Sequence, residues 1–268
     1  MNQIHLSGQN RLLALLPTEE RSRVLARCEK VSFQHRTIVY EADGPIEEVY
    51  FPLSGIVSLV MSSSEGETVE VGMVGNEGMV GTPLLLGANR SPTEAIVQVS
   101  IEGLRMRREE LEEELALGDG LASLCQRYAQ ALTNQVMQSV LCNRLHSVDE
   151  RLCRWFLMTH DRAGTDEIVI TQHFVAQMLG VHRPSVTIAI GVLQKAGFVS
   201  YSRGRLRILD RPGLEEGACE CYANVREDTE RLLRTRTNGT LANRPGPGTV
   251  TKMPDMATPT TRQRGEKI

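Results

Sequence analysis

The order of apolar and polar positions divides the chain into a helical start, a β-rich stretch, one long helix and a mixed C-terminal part. From about Asn10 to Lys30, Leu12, Leu13, Leu15 and Leu16 and then Val24, Leu25 and Cys28 predict two short helices separated by Pro17. Between Val31 and Met106 the pattern turns to short runs broken by turn residues. Val49-Tyr50-Phe51 precedes Pro52 and Gly55, Ile56 to Val60 precedes Ser62-Ser63-Ser64-Glu65-Gly66, Val69-Glu70-Val71 precedes Gly75-Asn76-Glu77-Gly78, and Ala95 to Val99 follows. Short strands at this spacing predict a sandwich or roll. Arg107 to Glu114 reads as a charged helical piece.

From Leu121 to Asn143 the only charged residue is Arg127, and neither Pro nor Gly interrupts a helical reading. Leu121, Leu124, Cys125, Tyr128, Leu132, Val136 and Val140 spread apolar contacts over a broad arc. A long helix so poor in charge is ill suited to solvent on every side. It is expected to pack on its own β-domain and on a second subunit, the plainer reading being a buried helix of a monomer. Ser147-Val148-Asp149-Glu150 has the form of a capping box and starts a further helix that ends near Gly164, before a strand at Ile168-Val169-Ile170.

The run from Gln172 to Gly197 has helix-turn-helix spacing. Ala176 is small enough for two helices to approach, Gly180 suits the positive φ of a tight turn, and Val186, Ile190 and Leu193 face back at helical spacing. Pro184 fits the first turn of the second helix. Phe198 to Tyr201 and Arg205 to Leu209 alternate around Ser202-Arg203-Gly204, a hairpin that completes a winged helix. The outward residues are Arg183, Ser185, Thr187 and Ile188, with His182 at the helix start and Arg203, Arg205 and Arg207 on the wing. An arginine at the N-terminal end of such a helix can donate two parallel hydrogen bonds to guanine.

Charge sharpens the picture. The chain has 268 residues and a formal net charge of −3, yet Gln172 to Leu209 contains no Asp or Glu and five basic residues. This local excess is the footprint expected of a surface for double-stranded DNA. No apolar run is long enough to span a membrane, and Met1-Asn2-Gln3-Ile4-His5 lacks a secretory pattern, so a cytoplasmic protein is expected. Cys28, Cys125, Cys142 and Cys153 read as packed residues. Cys219-x-Cys221, with no nearby His or further Cys in the sequence, is weak evidence for a metal, and His35, His146, His160 and His173 show no ligand spacing. The expectation is therefore no metal, no cofactor and no catalytic residue. A jelly-roll metalloenzyme would need ligands clustered on the strands, but the β-rich stretch holds only His35. A partner-binding signalling β-domain with secondary DNA binding remains as the alternative.

With these parts in this order, the chain resembles the Crp–Fnr superfamily of bacterial transcription regulators over about Asn10 to Arg234. Val49-Tyr50-Phe51-Pro52-Leu53-Ser54-Gly55-Ile56-Val57 is similar to the family's β-roll hairpin. Gly75 to Gly81 is similar to the turn into its phosphate-binding cassette, Leu121 to Asn143 to its long dimer helix, and Ile170 to Ile208 to its winged reader. The resemblance implies an α+β fold: a cyclic-nucleotide-binding-like β-roll sensor domain over 10–118, a dimerisation helix over 119–144, a winged helix-turn-helix domain over 145–234, and a disordered tail over 235–268. It implies a homodimer on DNA, with RNA polymerase a further candidate partner. The effector pocket implied is Gly81, Thr82, Arg90, Ser91, Val136 and Met137, and its ligand is left open. Gly81-Thr82 stands where cyclic-AMP binders place Gly-Glu, Thr93-Glu94 where they place Arg-Ser, and Val136-Met137 where they place polar adenine contacts. These departures argue against cyclic AMP. Only Cys28 lies in the first hundred residues, which argues against the iron–sulfur centre of the oxygen-sensing branch. Pro184 and Ile188 replace the Glu and second Arg of many members' readers, which implies a different DNA sequence.

Overall fold

A computed structural model describes residues 8–234. The expectations placed on residues 1–7 and on the tail, including its basic residues, lie outside them. Two short helices, α1 (Arg11–Ala14) and α2 (Thr18–Ala26), lead into five antiparallel strands: β1 (Glu29–Phe33), β2 (Ile38–Tyr40), β3 (Glu48–Ser62), β4 (Thr68–Val74) and β5 (Glu94–Arg107). The order is β1-β5-β3-β4, with β2 also on β5, and this is the expected N-terminal β-roll.

One element differs from the sequence reading. Val49-Tyr50-Phe51 and Ile56 to Val60 are one 15-residue strand, not two separated by Pro52 and Gly55. The pairing with β5 shifts register between Pro52 and Ser54, Ser54 and Ile56, and Ile56 and Val57. Bulges accommodate the missing N–H of Pro52 and bend the strand without ending it. Gly55 sits at φ +79°, where a Cβ would fall 2.2 Å from the Ser100 carbonyl oxygen, so only glycine fits.

Helix α3 (Arg108–Ala116) leads to α4 (Gly120–Leu145), the long helix expected from its pattern. Its first turn is capped from outside: Leu121 N–H donates to Glu20 Oε1 of α2 at 2.7 Å. Leu121, Leu124, Cys125 and Tyr128 on its N-terminal half join the core beneath the sheet. Farther along, Met137, Val140, Leu141 and Leu145 are 55%, 68%, 41% and 68% exposed.

The Ser147–Glu150 capping box starts α5 (Val148–Ala163), and Gly164 ends it in the left-handed region. Then follow β6 (Glu167–Val169), α6 (Gln172–Leu179), α7 (Arg183–Lys195), β7 (Val199–Ser202), β8 (Arg205–Ile208), α8 (Arg211–Gly217) and α9 (Cys221–Leu233). The second core contains Leu152 and Phe156 of α5, Phe174 and Val175 of α6, Val186 and Ile190 of α7, and Leu206 of β8. It also takes in Ile56, Val60 and Met73 of the large sheet. The C-terminal half is thus packed onto the β-roll, and residues 8–234 form one compact unit. No described helix is long and apolar enough to cross a membrane.

Polar contacts reinforce this junction. Arg162 of α5 donates through Nε to Glu77 Oε1 at 2.7 Å, and both side chains are at most 10% exposed. Arg162 Nη2 donates to Gln135 of α4 at 3.2 Å, and Gln135 donates to the Met73 carbonyl at 3.1 Å. Ser58 donates to Gln98, whose amide reaches Thr159 of α5 at 3.3 Å.

Candidate nucleic-acid interface

The C-terminal half builds its exposed face from short, well-capped pieces. Thr171 accepts the Phe174 N–H at the start of α6, and Gly180 ends that helix at φ 61°. Ala176 is buried, and its carbonyl accepts the Val181 N–H at 3.0 Å, which closes the turn. Gly180 also lies against β4: a Cβ there would stand 3.1 Å from Val69 Cγ2. Helix α7 then begins with His182 as its N-cap and Pro184 in the first turn. Val186, Ala189, Ile190 and Leu193 are buried, so the opposite face is set toward solvent.

On that face His182, Arg183, Thr187 and Ile188 are exposed and Ser185 is half-buried. Ile188 is 67% exposed, and Val192, one turn on, is 47% exposed. Val192 is a surface residue the sequence reading did not single out. Its apolar character pointed inward, and only the rotation of α7 about its axis turns it out. The Thr187 hydroxyl is within hydrogen-bond distance of Gln172 Oε1 (2.8 Å) and of the Arg183 carbonyl (3.1 Å), which leaves its methyl as the free surface.

Strands β7 and β8 pair from Val199–Ile208 to Ser202–Arg205, and β6 adds to β8. The connection is a two-residue turn with Arg203 at φ 49° and Gly204 at φ 77°, both left-handed as a tight hairpin of this twist requires. Tyr201 ties the wing to the helices: its hydroxyl donates to the Ile170 carbonyl at 3.0 Å and accepts the Gln172 N–H at 3.1 Å. Arg203, Arg205 and Arg207 are all exposed. Among the described residues Arg183 and Arg203 have no ion pair. Arg205 instead donates to Glu167 of β6 at 2.6 Å. The absence of acid between Gln172 and Leu209 is therefore a property of the segment and not of the surface, because sheet pairing brings Glu167 in from outside.

The residues of the implied effector pocket are not drawn into one hydrogen-bonded group. Gly81 takes a left-handed conformation before a 3₁₀ turn beginning at Thr82, with its backbone close against Val49. Arg90 donates to the Asp43 carbonyl, and buried Ser91 shares a 2.7 Å hydrogen bond with Thr93. Val136 and Met137 lie on α4, and no hydrogen bond among the described residues joins them to the other four. The cysteines divide into two groups. Burial pushes the thiols of Cys28 and Cys125 up to about 12 and that of Cys153 up to about 11, as packed, unreactive residues require. Cys219 and Cys221, however, do not lack further Cys and His neighbours. The fold sets Cys142 of α4 and His146, the cap of that helix, against them, residues more than seventy positions away whose approach no local spacing could reveal.

Comparison with known proteins follows the same division of the chain. Residues 30–116 match the model of the cyclic nucleotide-binding domain and residues 150–216 that of the Crp-like helix-turn-helix domain. The transcriptional regulator SdrP of Thermus thermophilus is 28% identical over 194 residues, covering 70% of this chain and 93% of that protein. The global nitrogen regulator of a Nostoc species is 26% identical over 184 residues, covering 65% and 82%. Among solved structures, FixK2 of Bradyrhizobium japonicum superposes with a TM-score of 0.62 at 16% identity, covering 72% of this chain and 98% of that one. A CRP-family transcriptional regulator of Thermus thermophilus gives 0.59 at 17% identity, covering 70% and 96%. At such identities the structures speak for the fold, while the two domain models and the curated relatives speak for the kind of protein. The chain belongs to the Crp–Fnr superfamily of DNA-binding transcriptional regulators.

Proposed function

We propose that the chain acts in the cytoplasm as a homodimer joined along the C-terminal half of α4, reading a partly palindromic operator with two winged domains. Members of the family bind DNA and act as dimers. Of the exposed apolar residues of α4, Val140 and Leu141 lie three and four positions after Met137, and Leu145 four after Leu141, so they share one side of the helix as a seam demands. In the reader, Arg183 stands at the N-terminal end of an exposed helix face with no acid bound to it, and this observation carries the proposal. Arg183 reads base edges. Ser185, the Thr187 methyl and Ile188 complete the direct contacts, and His182, Arg203, Arg205 and Arg207 hold the phosphates. Half-sites lie one or two turns apart, ~34 Å per turn.

The sensor half does not take cyclic AMP. Thr82 offers no carboxylate to a ribose, and Glu94, next to Thr93, would repel a phosphate. RNA polymerase is the downstream partner that such a regulator would contact. The test is selection of bound sequences from random duplexes, with and without cyclic nucleotides. A palindromic consensus unchanged by cyclic AMP is expected. Affinity that neither prefers a sequence nor falls with salt would overturn the reading.

A further inference from the structure

The C-terminal end of α4 and the corner between α8 and α9 meet in a cluster that belongs neither to the exposed reader face nor to the two large cores. Cys142 and His146 are one helical turn apart, His146 being the C-cap of α4. Cys219 lies between α8 and α9, and Cys221 opens α9. The three cysteines are buried and form an interior group of their own.

Cys142 Sγ is 3.5 Å from Cys219 Sγ, and Cys221 Sγ is 3.5 Å from His146 Nδ1. The ligand atoms of all four residues lie within 4.8 Å of one another. A tetrahedral zinc ion with Zn–S of about 2.3 Å and Zn–N of about 2.0 Å places neighbouring ligand atoms roughly 3.4–3.8 Å apart. The two opposed pairs are already in that range. They are too far apart for a disulfide, which needs about 2.05 Å between sulfurs. All four ligand atoms, within 4.8 Å of one another, are also too close for an iron–sulfur cluster, whose cysteines on different irons stand farther apart than ligands of one ion do.

The surroundings suit an ion as well. His146 Nε2 is 3.3 Å from Glu220 Oε2. A carboxylate on that nitrogen fixes the tautomer that leaves Nδ1 free to bind a metal. Gln138 Nε2 donates to Cys221 Sγ at 3.1 Å, the contact that stabilises a thiolate. Three thiolates and a dication leave one negative charge. Arg151 and Arg154, each 8% exposed, lie within electrostatic reach of Cys142 to offset it.

We propose that Cys142, His146, Cys219 and Cys221 bind one zinc ion through three thiolates and Nδ1. The four protein ligands complete the tetrahedron, so the site is structural and closed, with no position for substrate. It fastens the α8–α9 corner to the end of α4. The test uses the full chain purified under reducing conditions. Elemental analysis is expected to give one zinc per chain. Cobalt replacement should produce thiolate charge-transfer bands and the intense visible bands of tetrahedral geometry, with the titration ending at one ion. Cys219→Ser should weaken the charge-transfer bands, and His146→Ala should shift the visible bands while keeping the thiolate ones. The double variant Cys219→Ser with Cys221→Ser should abolish the spectrum, and Glu220→Gln should keep it while weakening zinc about tenfold in chelator competition. Cys28→Ser, remote from the cluster, should change nothing. If Cys219→Ser fails to fold, the wild-type cobalt titration still decides. The proposal is overturned by absence of stoichiometric metal even after anaerobic addition of zinc. It is equally overturned by a cobalt spectrum that survives loss of Cys219 and Cys221, or by iron recovered with inorganic sulfide.

Discussion

At the scale of single residues, charge and burial make separable predictions. Arg183→Ala is expected to cost about 1–3 kcal/mol on the selected operator and to relax preference at one base pair, while random duplexes lose little. Competition binding on both DNAs measures the difference. Glu167→Gln should act in the opposite sense. Freed from its 2.6 Å ion pair, Arg205 becomes available to phosphate, so affinity for every duplex rises and the salt dependence steepens by about one counterion. A third residue reports on pH. The Glu70 carboxyl receives a hydrogen bond from Trp155 Nε1 at 3.0 Å, yet its Oε2 is buried without a partner. Desolvation pushes it up to about 7 from an ordinary value near 4.5, against the pull of Ser58, Trp155 and two arginines. A folded-state value above the unfolded one means that the stabilisation is full below about pH 4.5 and is lost as pH rises through about 7. The loss is on the order of 3 kcal/mol. Glu70→Gln should flatten the denaturation midpoint across that window and stabilise the protein at pH 8.

At the scale of elements, α4 carries the clearest expectation. Val140→Glu puts a charge into the apolar stripe and should weaken the dimer by about 3 kcal/mol, roughly a hundredfold. Sedimentation reads this directly, and operator binding should fall with it. Much of this level was legible from spacing. The low charge of Leu121 to Asn143 marked the long helix, Ser147 and Glu150 marked the next, and Ala176, Gly180 and Val186 placed the helix-turn-helix within a residue or two. Each is a local rule, satisfied by neighbours in sequence. What escaped was non-local. Pro52 and Gly55 resemble strand breakers until β5 supplies the bulged pairing that carries β3 past them. Glu167 looks irrelevant to the wing until β6 joins β8. Cys219 and Cys221 look like ordinary helix positions until α9 folds back along α4 and brings them to Cys142 and His146.

At the scale of the whole molecule, Arg162 connects the halves. It pairs with Glu77 beside the β4 turn, donates to Gln135 of α4 and to its own Met158 carbonyl, all largely out of water. Removing one member of a buried pair strands the other's charge, so Arg162→Ala should cost about 3–5 kcal/mol in urea denaturation. Arg162→Met combined with Glu77→Gln should recover at least part of that, since no lone charge is left.

The sharing of one apolar interior by Ile56, Val60 and Met73 of the sheet with the reader's own helices bears on how a signal could travel. A jointed molecule swings by degrees, but close-packed side chains do not slide past one another continuously. Any reorientation of the DNA-facing helices has to unseat these three residues and reseat others in one step. Such a molecule responds like a latch, and its two positions should interconvert slowly enough to be counted as separate species.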